Sequence, residues 1–286
     1  MRTVLAADLG GTKTCLALVR EDGAILRREK LRAAHSIEGT ASQVAALARE
    51  ADVAAAGIAL PGIVENRLGL AWAPNLWGMD WVPFEETLAA RLHVPLRLTS
   101  DRTACVLGEQ WLGAARGLSD VVFVTVGTGI GVGILASGRP LEGAHGIAGA
   151  AGWMALDRNW KPEYGRCGCW EAEAAGPATA LQAGFATCEE AVAAALAGNP
   201  HARGALRRTA AWLGAGIANL VSVLDPELVV LGGGLLEASN LLLDGLQHEF
   251  LRWAQPEAAR RVRIELSKLG QDAALLGAAR LAFDHA

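Results

Sequence analysis

The sequence has little of what would staple, anchor or repel. It holds only five cysteines, and Cys15, Cys105 and Cys188 stand singly. No disulfide framework is therefore expected, and these three read as small buried hydrophobes. No stretch approaches the roughly 18 uncharged apolar residues that a membrane-spanning helix needs. The apolar start is short and broken by Asp8, which argues against a signal peptide. A net charge of −4, without any Lys/Arg run, offers nothing to a nucleic-acid backbone. Low-complexity segments and short-period repeats are missing as well. The expectation is a cytoplasmic globular protein with neither nucleic acid nor membrane as a partner. There is no G-x-x-x-x-G-K-[ST] loop, and a strand rather than a helix follows each glycine-rich turn, so neither a Walker loop nor a dinucleotide fingerprint applies.

What is present is a strand–turn–strand pattern that occurs twice. The first copy closes an apolar strand with Asp8 and turns through Gly10-Gly11-Thr12-Lys13. The second closes Val121–Val126 with Gly127-Thr128-Gly129. Glycine lets a backbone approach a ligand closely, and threonine adds a hydroxyl beside exposed N–H groups. Two such turns facing each other would hold a polyphosphate from both sides, which points to nucleotide-dependent phosphotransfer. An ordinary glycine-turn hairpin is the alternative for either copy alone. Asp8 stands where a carboxylate could hold Mg²⁺ through water. Gly232-Gly233-Gly234, after an apolar strand, is a third place suited to a nucleotide or to tight packing.

Strands near 3–7, 15–20, 54–60 and 95–98 alternate with helices near 40–51, 84–92 and 100–111, which predicts an α/β fold. Residues 71–83, rich in Pro and Trp, read as an ordered, partly buried loop. A domain boundary is expected at 114–120. The second half opens on the repeated hairpin and passes through a loop-rich insertion at 138–176. Helix 210–224, strand 228–231 and a small-residue helix from 273 follow. Asp101 ends a strand and opens a helix, where the dipole favours an ionised carboxylate. It is either a proton acceptor or a plain N-cap.

Asp8-Leu-Gly-Gly-Thr-Lys13, Leu60-Pro61-Gly62, Pro74-Asn75-Leu76, Ser100-Asp101, Gly127-Thr128-Gly129-Ile-Gly131 and Leu231-Gly232-Gly233-Gly234 follow one another in an order that resembles the ROK family of repressors, open reading frames and sugar kinases. The resemblance implies two actin-like (ribonuclease H-like) domains around a central cleft. Their expected spans are 1–115, with the closing helix 273–286 packed back on it, and 116–272 with the insertion. It implies an ATP-dependent kinase acting on a hydroxyl, usually the 6-hydroxyl, of a hexose such as glucose or of an N-acetylhexosamine. Asp101 would be the base. Asp8, Gly10, Gly11, Thr12, Lys13, Gly127, Thr128, Gly129 and Gly233 would hold ATP and Mg²⁺. Asn75, Ser100 and Glu171 would face the sugar. With the apolar C-terminal half, the resemblance also implies a homodimer.

The chain departs from the family in two places. Where the family carries a sugar-binding Glu and a sugar- and zinc-binding His, it has Ala150 and Trp153. In the zinc loop the first two cysteines are Pro162 and Tyr164, whereas Gly165, Gly168, Cys169 and Glu171 keep their places. Three of four zinc ligands are thus absent. Cys167 and Cys169 with His145 make a poor substitute, so no zinc is expected. Trp153, Trp160, Tyr164 and Trp170 are expected to pack the loop instead. The alternatives are a non-catalytic sugar or nucleotide sensor and a kinase for an atypical acceptor. A DNA-binding role is not expected, since the chain begins at its first strand without a helix-turn-helix.

Overall fold

The computed structural model describes residues 1–285. In chain order its elements are β1 (Thr3–Leu9), β2 (Lys13–Arg20), β3 (Ile25–Arg32), α1 (Ile37–Ala48), β4 (Ala56–Leu60), β5 (Ile63–Glu65), β6 (Leu70–Trp72), α2 (Pro74–Trp77), α3 (Phe84–Leu92), β7 (Leu96–Ser100) and α4 (Asp101–Leu112). There follow β8 (Val121–Val126), β9 (Ile130–Ala136), β10 (Arg139–Pro140), α5 (Tyr164–Cys167), α6 (Cys169–Ala174), α7 (Gly176–Ala183), α8 (Cys188–Leu196), α9 (Pro200–Leu224), β11 (Leu228–Gly232), α10 (Ser239–Trp253), α11 (Pro256–Arg261), β12 (Arg263–Leu266) and α12 (Ala273–Phe283). Residues 1–117, 133–148 and those from 267 onward form one compact unit, and 118–132 with 149–266 form a second.

The α/β expectation is met by two five-stranded sheets with the same wiring. One is ordered β3-β2-β1-β4-β7 and the other β10-β9-β8-β11-β12. Each sets three consecutive strands side by side and then adds two later, parallel strands on the far side of the first. The repeated turn is thus the link between the first two strands of each sheet.

In the first unit the strand period of two decides which residues go where. Leu5, Ala7 and Leu9 of β1 face one way, with Ile58, Leu60 and Leu98, and are covered by Val44 of α1 and Leu88 of α3. Val4 and Ala6 face the other way, onto Ala104 of α4 and Leu275, Ala279 and Ala282 of α12. Asp8 continues that second row. α12 meets α4 at backbone contact: a Cβ on Gly277 would stand 1.7 Å from the Ala104 carbonyl oxygen. Gly277→Ala therefore has to push apart two helices in the layer that carries Asp101. A loss of about 3 kcal/mol, read as a lowered urea midpoint, is expected.

In the second unit α9 is the central helix. Leu206, Ala210, Leu213 and Ile217 are buried along it, and α10 covers it with Leu242, Leu246 and Phe250. Asn199 caps α9 by accepting the N–H groups of His201 and Ala202, and Pro200 follows at its first position. The helix therefore starts ten residues ahead of the expected 210. The polar run 200–209 hides its period, although Ala202, Ala205 and Leu206 form the buried stripe.

Three other expectations need correcting. Strand β3 was not expected; its Arg and Glu side chains protect the sheet edge, so its burial shows no clean alternation. The segment 71–83 is not all loop, since Ala71 and Trp72 pair back on β5 and α2 begins at Pro74. Strand β12 is likewise absent from the sequence expectation; it is short and also lies on an edge.

Candidate active site

The first unit gathers eight of the expected site residues at one end of its sheet. The parallel register pairs Asp8 with Ala59 and Ala59 with Thr99, so Asp101, just past the end of β7, lies two residues beyond the row that holds Asp8. Both carboxylates lie on the α4 face, and Asp8 feels the charge of Asp101. Burial, followed by the negative charge of Asp101, pushes the Asp8 carboxyl up to about 7. Burial also raises Asp101, partly offset by the Arg102 guanidinium and by N–H donors that include Arg102 N–H, 2.8 Å from Oδ1. The expectation that the helix dipole would dominate, lowering Asp101, is thus reversed. Loss of water outweighs a dipole effect worth about 1 kcal/mol.

Nor is Asp101 the cap. That is Ser100, whose Oγ accepts the Thr103 N–H at 3.3 Å and donates to Thr103 Oγ1 at 2.9 Å. The Ser100 hydroxyl is engaged within α4, and its contribution is to start the helix so that Asp101 falls in the first turn.

Beside the carboxylates the first turn is closed by Gly10 N–H donating to Lys13 O at 2.8 Å. Asn75 of α2 lies against it: a Cβ on Gly11 would be 3.2 Å from Asn75 Cβ. Thr12 and Lys13 are exposed. Sequence reasoning missed Arg102, whose buried guanidinium donates to the carbonyls of Gly62, Gly146 and Ala148. Only a basic residue next to an expected catalytic acid could have signalled it.

The second unit holds the other five residues. Gly127 N–H donates to Gly129 O at 3.0 Å, and Gly127 O accepts the Gly176 N–H at 2.8 Å. Glu171 Oε2 accepts the Ile130 N–H at 2.7 Å, which ties α6 to the start of β9. Burial raises the Glu171 carboxyl, and that N–H lowers it. Gly233 has φ +92° and a Cβ there would lie 2.4 Å from the Val126 carbonyl oxygen, so it packs on the end of β8. A 3-10 turn at Gly234–Ala238 follows it and leads directly into α10. Gly127, Thr128 and Gly234 open onto a cavity of about 720 Å³, walled by Pro177, Thr187 and Glu237 among others. The glycine turns on its rim are legible as motifs, whereas the walls from α7 and α8 carry none.

The aromatic packing expected for residues 153–170 holds only in part. Trp170 is fully buried, donating its indole N–H to Trp212 O at 2.8 Å, and Tyr164 is buried too. Trp153 and Trp160 are 57% and 71% exposed. Polar bonds hold the loop in their stead. Glu173 accepts from Tyr164 Oη at 2.6 Å and from the Lys161 ammonium, joining α5 and the residues before it to α6. The donors present do not fit zinc: Pro162 offers none, the Tyr164 phenol is committed to Glu173, and no group of three His, Cys, Asp or Glu side chains converges among the described residues. Chelators should therefore leave the melting temperature unchanged. Tyr164→Phe, which leaves Glu173 short of a donor, should destabilise by about 1–3 kcal/mol. A zinc-reversible fall with chelator in thermal scans would overturn this account of the loop.

Among the described residues no helix is long and apolar enough to cross a membrane. The sequence profile of the ROK family matches residues 4–285. A glucokinase of Streptomyces coelicolor is 32% identical over 317 aligned positions, which take in 99% of this chain and 98% of that protein. The xylose repressor of Bacillus subtilis is 26% identical over 236, covering 80% of this chain and 61% of the repressor. Among solved structures, a ROK family glucokinase from Streptomyces griseus in complex with glucose and AMPPNP superposes with a TM-score of 0.84 at 29% identity, covering 99% of both chains. The glycine turns, the paired aspartates, the family match and the full-length likeness to the two glucokinases agree: the chain belongs to the ROK family and has the sugar-kinase fold of the actin-like ATPase superfamily.

Proposed function

We propose that the chain is an ATP-dependent kinase that transfers the γ-phosphate to a hydroxyl, the 6-hydroxyl by family analogy, of a hexose such as glucose or of an N-acetylhexosamine. The observation that carries this reading is the pair of half-buried carboxylates Asp8 and Asp101, the second raising the first, beside the Gly10-Gly11 turn. Such an arrangement is costly to keep in a protein that does no chemistry there. Its likeness to a glucokinase seen with glucose and AMPPNP, an ATP analogue, supports the choice of ligands.

In this reading Asp101 accepts the proton of the attacking hydroxyl. A carboxylate lifted above its usual range by burial is better matched to that task at neutral pH. Gly10, Gly11, Thr12, Lys13, Gly127, Thr128 and Gly129 serve the phosphates, in a reaction where orientation and charge stabilisation do most of the work. Gly233 and the cavity beside Gly127 take the adenosine, for which about 720 Å³ is ample. Asn75 and Glu171 contact the sugar, and Ser100 acts by setting α4. Asp8 fits Mg²⁺: a buried carboxylate raised to about 7 lacks a counter-charge, and Mg²⁺ keeps most of its waters and needs few protein ligands. The cation would neutralise charge on the phosphates.

A second reading, a sensor without turnover, has its own support in Ala150, Trp153 and the repressor relative. The test is ADP release across hexoses, N-acetylhexosamines and polyols, with Asp101→Asn as the blank. Turnover that requires Mg²⁺ and Asp101 supports the kinase. AMPPNP binding with no turnover on any acceptor supports the sensor.

A further inference from the structure

Arg102 is a buried cation, 8% exposed, in a unit whose function as read above rests on its neighbour. Its donors reach three carbonyls of two separate segments: Nη1 to Gly62 O at 3.1 Å, Nη2 to Gly146 O at 3.2 Å and Nε to Ala148 O at 3.2 Å. Gly62 lies in the turn after β4 and the other two in the loop after β10. Carbonyl dipoles satisfy the hydrogen-bonding groups but not the net charge, and a buried charge without a counter-ion is costly. The carboxylate whose charge favours the Arg102 cation is that of Asp101. The backbone is also fixed here, since a Cβ on Gly133 of β9 would sit 2.0 Å from the Arg102 carbonyl oxygen. The side chain therefore cannot be re-aimed by shifting the helix.

We infer that Arg102 is a positioning residue for Asp101: one guanidinium tethers the Gly62 turn and the 146–148 loop to the first turn of α4, and thereby fixes the place of the carboxylate and sets a cation beside it. The inference rests on the reading of Asp101 as the base. A planar fork with five N–H donors suits three diverging carbonyls, whereas a lysine ammonium preserves the charge but not the reach. The charged and titratable groups facing Asp101 are Asp8 from β1 and Arg102 and Cys105 from its own helix.

The test compares wild type, Arg102→Met and Arg102→Lys, each first shown to melt cooperatively. In Arg102→Met, kcat is expected to fall about 10²-fold. KM for ATP should stay put, and the acid limb of the kcat profile should move to higher pH, because Asp101 has lost the charge that favours its ionised form. Arg102→Lys should restore the acid limb and only part of kcat. A purely structural staple would lower the melting temperature without moving that limb. A wild-type limb and kcat in Arg102→Met would overturn the inference. Carbon-13 NMR titration of the Asp101 carboxyl, assigned with Asp8→Asn, needs no acceptor. It should show a higher midpoint in Arg102→Met than in wild type, and an unchanged midpoint would overturn the inference even if the kinase reading failed.

Discussion

Asp101→Asn should lower phosphoryl transfer by about 10²–10⁴-fold, the span expected when a positioned base is removed. The substitution is nearly isosteric. The Asn oxygen can still accept the Arg102 N–H that Oδ1 accepts at 2.8 Å, and Ser100, the true cap, is untouched. The buried negative charge disappears, which relieves a desolvation cost, while Arg102 loses its counter-charge. These two effects oppose each other, so the melting temperature should move little and the loss should lie in kcat. AMPPNP affinity by calorimetry should be unchanged, since no phosphate donor is altered. In wild type the rate should also fall on the acid side at a pH above the ordinary carboxylate range, because burial has raised the group that must be ionised. Turnover by Asp101→Asn within a few-fold of wild type would remove this carboxylate from the mechanism.

The end of the first sheet was legible because its residues carry local signals. A strand closing in Asp8, a glycine pair and a Ser-Asp helix start each have a short-range physical cause, and the register of β1, β4 and β7 then brings them together. What escaped was decided over long range. The Asp101 titration depends on how much water the folded chain excludes around it, which a helix-start rule does not include. Arg102 is unremarkable until Gly62 and Gly146 fold against it. The polar edge strand β3 lacks alternation because one side needs none. Trp153 and Trp160 look like core by composition, yet the loop's order comes from Glu173, an acid that the sequence presents like any other. Departures from a family pattern thus showed which bonds are missing but not which bonds replace them.

Asp8→Asn is expected to separate stability from catalysis. The folded-state carboxyl is lifted from 3.8 to about 7, so the folded form holds its proton where the unfolded chain has released it. Below pH 4 both forms are protonated and the shift has no effect. Between about pH 4 and 7 the unfolded chain releases this proton while the native state still holds it, so stability declines across that window and levels off above it, where the native state carries the buried charge. The full shift corresponds to about 4 kcal/mol. Asn never ionises, so Asp8→Asn should be more stable than wild type at pH 8, by about 2–4 kcal/mol. The gain should vanish near pH 4. Urea melts at the two pH values, without added divalent cation, measure it. Added Mg²⁺ should stabilise wild type at pH 8, by supplying the missing counter-charge, and should do much less for the variant. Turnover should meanwhile collapse in the variant, because the charge that weakens the empty fold is the one proposed to hold the cation beside the phosphates. An Asp8→Asn variant no more stable than wild type at pH 8 would mean that water or Lys13 already screens this carboxylate, and that its place beside the turn implies no such tension.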